Sequence, residues 1–159
     1  MKTLINPILK RKNVFVLIHV VFPILLGGLI YILFRSTTLI MFKWLDSIDV
    51  LSIVLTIRGF TSNIKNSFPE WFYYSHPDGL WVYSFTSALF LFNEKFQGIK
   101  VWLIIPLVLG PLFELLQFFK LFPGTFDITD LIFSSVAFIL SILIFNYKNK
   151  KNDKQKQII

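Results

Sequence analysis

Two polar side chains stand in one of the most apolar stretches of this sequence, and both are of types that bind cations or protons. Glu114 and Gln117 lie three residues apart in "GPLFELLQFF", residues 110–119. This spacing places them on one helical face, together with Gly110. A carboxylate in apolar surroundings must face protein or water and find a hydrogen-bond donor, or else become protonated. Glu114 is therefore the first candidate for a functional residue.

Further carboxylates follow at helix starts. Asp127 has the position of an N-cap, and Asp130 lies three residues later in the first turn of a predicted helix. Ser75 and Asp78 have the spacing of a capping box. Capping explains these aspartates without a ligand, but a cap and a binding site can coexist.

We predict an outward-facing polar pocket formed where two antiparallel helices bring Glu114 and Gln117 to the depth of Asp130 and Ser134. Tyr83 is expected to line it, and Arg58 or Lys65 to close over it as a cation. The alternative for Glu114 is a dry hydrogen bond that only joins two helices. The predicted ligand-binding residues are Glu114, Gln117, Asp130, Asp127, Asp78, Ser134, Tyr83 and Arg58.

Composition indicates a membrane protein, because 55% of the 159 residues are hydrophobic and only 16% are charged. A spanning helix needs about 20 mostly apolar residues. Such runs predict an all-α, polytopic protein with four transmembrane helices. They occupy about residues 14–35, 76–92, 101–121 and 130–147. The first follows "KRKN" and is interpreted as a retained signal anchor.

Residues 38–57 are apolar but include Lys43, Asp46 and Asp49, which are costly at membrane depth. We expect an extracytoplasmic interfacial or re-entrant helix there. Four spans then place eleven of the sixteen basic residues on one side with both termini. By the positive-inside rule that side is cytoplasmic.

The domain prediction is one transmembrane helical domain, residues 1–147, and a basic, disordered cytoplasmic tail, residues 148–159. The net charge of +7 lies in short flanks around the spans, which topology explains, so we expect contact with membrane lipids and no nucleic-acid partner. The absence of cysteine excludes disulfides and thiolate chemistry. No metal site, cofactor or catalytic residue is predicted, and the oligomeric state stays open.

A combination of features resembles the VanZ-like family of small bacterial membrane proteins. These are E-x-x-Q late in one span, a short loop with "PG", an aspartate opening the next span, and small residues four and seven positions later. The resemblance covers about residues 110–141 and includes Glu114, Gln117, Asp127 and Asp130. This sequence departs from the family in "PGTFD", which lacks the usual arginine, and in having Ser134 and Ala137 where asparagine and glycine are common.

The resemblance implies a bacterial cytoplasmic membrane protein with an envelope function, associated with resistance to glycopeptide antibiotics such as teicoplanin. The leading expectation is a pocket that binds a polar or cationic group of a lipid-linked precursor or a glycopeptide. One alternative is a small transporter or ion-pathway subunit with Glu114 as the coupling carboxylate. Another is a non-catalytic scaffold or accessory subunit. Enzymatic activity, with the carboxylates and His76 as metal ligands or as acid and base, is least favoured because their spacing matches no catalytic signature.

Overall fold

The computed structural model describes residues 13–93, 102, 105–121 and 126–156, and in these ranges the chain is helical with no strand. This confirms the all-α prediction. The helices are α1 (Asn13–Phe34), α2 (Ile40–Ser47), α3 (Leu51–Lys65), α4 (Glu70–Tyr74), α5 (His76–Asn93), α6 (Ile105–Phe118) and α7 (Ile128–Lys156).

Two of these helices have the length and apolar composition to cross a membrane. They are α1 and the first part of α7, Ile128–Tyr147. Only 17% and 28% of their most apolar windows are buried inside the chain, whereas the core helix of a soluble protein is mostly buried. Helices also lie at the second and third predicted spans. However, α5 is less apolar than α1, and α6 as described has 14 residues, fewer than the about 20 that a spanning helix needs.

Helix α5 lies at the centre of the fold, with α7 packed along it on one side and α1 on the other. Small residues permit both contacts. A Cβ atom at Gly79 would lie 3.2 Å from the carbonyl oxygen of Phe133 on α7. A Cβ atom at Gly27 of α1 would lie 2.7 Å from Nε1 of Trp81 on α5. Helix α6 packs on α7 but makes few contacts with α5.

Residues 38–57 form parts of two helices, where the sequence predicted a single one. Asp49, with φ of 57°, ends α2. Its N–H donates to the carbonyl of Asp46, and the N–H of Val50 donates to that of Leu45. This pair of bonds is a Schellman motif, which closes a helix and turns the chain. Lys120, with φ of 56°, ends α6 in the same way.

Helix α3 is tied to the end of α1 by Arg58. The guanidinium donates to the carbonyl oxygen of Arg35 at 2.8 Å and to that of Ile32. These are carbonyls that the last turn of a helix leaves without helical partners. The same guanidinium lies 5.1 Å from the centre of the Phe42 ring on α2. Arg58 thus holds three helices together.

Helix α1 contains one wide turn, a π-helical segment at Leu17–Val21. Ser84 of α5 donates from its hydroxyl to the carbonyl oxygen of Val20 at 2.7 Å. Beside it, Nδ1 of His19 lies 2.5 Å from the hydroxyl of Tyr83. Polar groups of α5 therefore contact the widened part of α1.

Helix α7 continues past the apolar span to Lys156, into the tail for which disorder was predicted. Residues 148–156 contain no glycine or proline, and lysine and glutamine are good helix formers, so nothing in their sequence ends the helix. The last three residues of that predicted tail, and the whole of residues 1–12, lie outside the described ranges.

Candidate functional site

A cavity of about 1120 Å³ lies between α5 and α6, with α7 forming one wall. It exists because α6 contacts α7 while standing away from most of α5. The ends of α1 and α4 border it as well. Six of the eight predicted site residues line this cavity: Asp78, Glu114, Gln117, Asp127, Asp130 and Ser134.

Glu114 borders the cavity and also joins two helices. It is 7% exposed, and its Oε2 accepts a hydrogen bond from the backbone N–H of Asp127 at 2.9 Å. That N–H belongs to the residue that precedes α7, so the carboxylate connects the late part of α6 with the start of α7. Glu114 therefore joins two helices and also lines the cavity, whereas the prediction treated these two arrangements as alternatives.

Asp127 caps α7 as the sequence predicted. Its Oδ1 accepts hydrogen bonds from the backbone N–H of Thr129, at 2.8 Å, and from the hydroxyl of the same residue. An N-cap carboxylate satisfies a free amide of the first helical turn. Oδ1 of Asp127 is thus bonded to the first turn of α7, which holds Asp127 beside Glu114.

Ser75 does not form the capping box expected with Asp78. The Ser75 side chain is fully buried, and no described residue forms a hydrogen bond with its Oγ. The reason is that Ser75 is the single residue between α4 and α5, so backbone hydrogen bonds continue from one helix into the next. The N–H of Ser75 donates to the carbonyl oxygen of Trp71, and the N–H of Gly79 donates to the carbonyl oxygen of Ser75. Asp78 is left to face the cavity.

The carboxylates of Asp78, Glu114 and Asp130 come from three different helices and interact electrostatically across the cavity. Like charges in partly buried surroundings repel one another strongly. In addition, Oδ1 of Asp130 is buried and has no hydrogen-bond partner in the part of the chain that the structure describes. Buried polar atoms are nearly always paired. A cation in the cavity would offset the repulsion between the carboxylates, and a hydrogen-bond donor would pair with Oδ1 of Asp130.

The cavity also has cationic and aromatic residues that are not among the eight predicted ligand-binding residues. Arg35 lines it, and its guanidinium carbon lies 5.2 Å from the ring centre of Tyr31 and 4.8 Å from that of Tyr74. Trp81 and Phe85 of α5 line it too. The spacing of four between Tyr31 and Arg35 was readable as a side-chain pair on one helix face. The contact with Tyr74 was not, because it depends on how α4 folds back.

Tyr83 and Arg58 lie away from the cavity. Tyr83 is on the α1 side of α5, next to His19. Arg58 bonds the end of α1, and its burial lowers its pKa from the usual value. Lys65, the other cation expected to close the pocket, lies over the ring of Tyr73 at 5.1 Å. The charge that these cations were predicted to supply comes from Arg35 instead.

Within the described ranges, no group of three or more histidine, aspartate or glutamate side chains has an arrangement that could hold a metal ion. The chain has no cysteine to add to such a group. The chemistry that the described cavity offers is that of carboxylates, an amide, a guanidinium and aromatic rings. These groups bind polar and charged ligands without a metal.

Comparison with known proteins does not assign the chain to a family. No family model, no curated protein and no solved structure matches it. The resemblance to the VanZ-like family therefore rests on the pattern of residues 110–141 alone.

Proposed function

We propose that this chain is a small multi-pass protein of the bacterial cytoplasmic membrane whose cavity binds a cationic group of a lipid-linked envelope precursor or a glycopeptide. The carrying observation is the cavity itself, which is lined by carboxylates from α5, α6 and α7, among them Asp130, whose buried Oδ1 has no hydrogen-bond partner among the described residues. The same carboxylates suit the ammonium group of a ligand, with which they form charge-assisted hydrogen bonds.

The two ends of the cavity differ in polarity, which suits an amphiphilic ligand. Glu114 and Asp130 lie towards one end, near the start of α7. Val82 and Phe85 line the cavity further along α5, and Pro106 lines it near the start of α6. An apolar portion of a ligand would be removed from water at these residues, which is favourable in proportion to the area buried.

In this proposal the chain has four spans, both termini are cytoplasmic, and the carboxylate end of the cavity opens outward. Two helices with the length to cross a membrane and the distribution of basic residues support that orientation. The resemblance of residues 110–141 to the VanZ-like family adds a role in tolerance of glycopeptide antibiotics. Helices α2 and α3 then lie on the outer side, at the membrane interface.

The test compares Asp130→Asn and Glu114→Gln in cells exposed to teicoplanin, at equal membrane abundance. Asp130→Asn is the sharper variant, because it removes charge from a carboxylate with an unpartnered oxygen. Asp46→Asn is the matched control, since Asp46 is exposed on α2 and does not line the cavity. We expect protection to fall in both cavity variants and to stay unchanged in the control. Protection that is unchanged in all three would refute the proposal.

A transporter or ion pathway is the second candidate, favoured by one observation: a largely buried carboxylate, Glu114, lines a cavity. Buried membrane carboxylates often carry protons or cations. Proteoliposomes separate the two candidates. A proton or cation flux that Glu114→Gln abolishes would support transport, whereas ligand binding without flux supports the binding function.

A further inference from the structure

Arg35 occupies a fixed position at the cavity, set by its backbone and its side chain together. The residue follows the last turn of α1 in an extended conformation, and its carbonyl accepts from Arg58 at 2.8 Å. The rings of Tyr31 and Tyr74 each lie about 5 Å from its guanidinium carbon. A guanidinium held in this way loses little conformational freedom when it binds a ligand.

The charges around the cavity are of both signs. Of the described residues that line it, Arg35 alone is cationic, whereas the carboxylates are Glu70, Asp78, Glu114, Asp127 and Asp130. Arg35 interacts electrostatically with Asp78. A ligand with only positive charge is attracted by the carboxylates but repelled by Arg35. An anionic ligand is attracted by Arg35 but repelled by the carboxylates. A ligand with charge of one sign therefore does not use all the charged groups.

We propose that the cavity binds a zwitterionic group, with an ammonium at the carboxylates and an oxyanion, phosphate or carboxylate, at Arg35. The guanidinium fork matches two oxygens of such an anion. This inference rests on the proposed function, since it adds an anion site to the same cavity. It narrows the ligand class from cations in general to molecules in which an amine and an oxyanion are joined. Both zwitterionic lipid headgroups and free amino compounds have this chemistry.

The experiment measures binding by calorimetric titration of the full chain in nanodiscs of phosphatidylglycerol, which has no amine. The ligands are ethanolamine, O-phosphoethanolamine and inorganic phosphate. For the wild type we expect O-phosphoethanolamine to bind about tenfold tighter than ethanolamine, or more, because of the added charge-assisted hydrogen bonds. Phosphate alone should bind more weakly than either.

Variants assign this difference to Arg35. Arg35→Gln should bring the two amines to similar affinity, and Arg35→Lys should keep part of the difference because the charge remains. Lys43→Gln is the matched control, since Lys43 is exposed on α2 and outside the cavity, and it should behave as wild type. Asp130→Asn should weaken both amines. Thermal unfolding of each variant identifies any that fails to fold, and Arg35→Lys then carries the test.

The outcomes separate the two proposals. Equal binding of ethanolamine and O-phosphoethanolamine by wild type would overturn the zwitterion site and leave the cation site intact. Binding of neither amine would overturn both. If the preference survives in Arg35→Gln, the anion site lies elsewhere and the inference is wrong. Repeating the titration with phosphatidylethanolamine in the nanodiscs distinguishes the sources, because a lipid headgroup in the cavity competes with the free compound.

Discussion

Single residues at helix ends determine where this chain turns. Asp49 and Lys120 adopt the left-handed backbone conformation that glycine accepts without strain. In L-residues with a Cβ atom that conformation costs about 1–2 kcal/mol. Each of these residues nevertheless closes a helix through the same pair of backbone hydrogen bonds. The tertiary fold therefore holds them in place.

Asp49→Gly should raise the stability of the protein by up to about 1 kcal/mol, because glycine relieves the strain at the end of α2. Asp49→Val should lower it, since a β-branched side chain fits the left-handed conformation worst. Thermal unfolding in detergent measures both. Asp46→Gly is the matched control, since it places glycine inside α2, and it should destabilise by about 0.5–1 kcal/mol. Equal shifts for Asp49→Gly and Asp46→Gly would contradict this account.

Arg58 bonds carbonyls at the end of α1 and does not line the cavity, so its contribution is to stability. Arg58→Gln should cost roughly 1.5–3 kcal/mol, because carbonyls of Ile32 and Arg35 lose a charged donor. The expected result is a lower unfolding temperature with unchanged ethanolamine binding by the folded protein. Arg58→Lys should recover part of the loss. A variant with a normal unfolding temperature and no ethanolamine binding would show instead that Arg58 takes part in binding.

Close contacts between helices set the shape of the cavity. Gly27 lets Trp81 lie against α1, and Trp81 in turn lines the cavity. Gly79 lets α5 approach the backbone of α7 at Phe133. A Cβ atom at Gly110 would lie 3.6 Å from Ser134, an ordinary contact distance, so α6 is less tightly fitted to α7 than α5 is. The cavity is bounded by one tight helix pair and one looser one.

Gly27→Ala should destabilise the protein by about 1–3 kcal/mol and weaken amine binding, because the new Cβ atom displaces Trp81 towards the cavity. Its neighbour provides the control. Gly28→Ala meets nothing within 4 Å, so it should be neutral or slightly stabilising, since alanine favours a helix. Unfolding temperature and calorimetric titration measure the two effects. Similar behaviour of the two variants would show that the contact with Trp81 does not matter.

The number of membrane spans determines on which side of the membrane residues 94–100 lie. Spans formed by α1 and α7 alone would leave residues 94–100 on the same side of the membrane as α2 and α3. Four spans place those residues on the side of the termini. The two topologies place both termini on the same side but place residues 94–100 on opposite sides. The side on which residues 94–100 lie therefore distinguishes them.

The chain contains no cysteine, so single-cysteine variants can be labelled without background. We expect a membrane-impermeant maleimide to label Thr37→Cys in intact cells. Gln97→Cys and Gln157→Cys should be labelled only after the membrane is permeabilised. Labelling of Gln97→Cys in intact cells would reduce the topology to two spans.

The sequence predicted those parts of the site that local pattern determines. Antiparallel packing was predicted to bring Glu114 to the depth of Asp130, and the Glu114 carboxylate bonds the residue that precedes α7. Tyr83 was predicted to line the pocket from its depth in the span, but its helical phase directs it elsewhere. Asp78, Val82 and Phe85 follow at spacings of four and three and share a face, whereas Tyr83 is rotated by about 140° from Asp78. It therefore faces α1.

Other parts of the site depend on tertiary packing and had no local signal. The position of Arg35 requires Tyr74, which α4 brings back to the end of α1. The use of Arg58 as a cap follows from the break at Asp49, which redirects α3. A left-handed aspartate is not distinguishable from a helical one by residue type. For this reason one helix was expected over residues 38–57 and two are found.

The wide turn at Leu17–Val21 lies near the start of α1, before its longer part, Phe22–Phe34. Such a turn equals one inserted residue, and each residue of an α-helix accounts for a rotation of about 100°. Deleting one residue there would rotate the part of α1 before the deletion and separate His19 from Tyr83. Tyr31 and Arg35, which line the cavity from the end of α1, both come after the insertion. The first part of α1 can thus change its register, in evolution or by design, while the part that lines the cavity keeps its own.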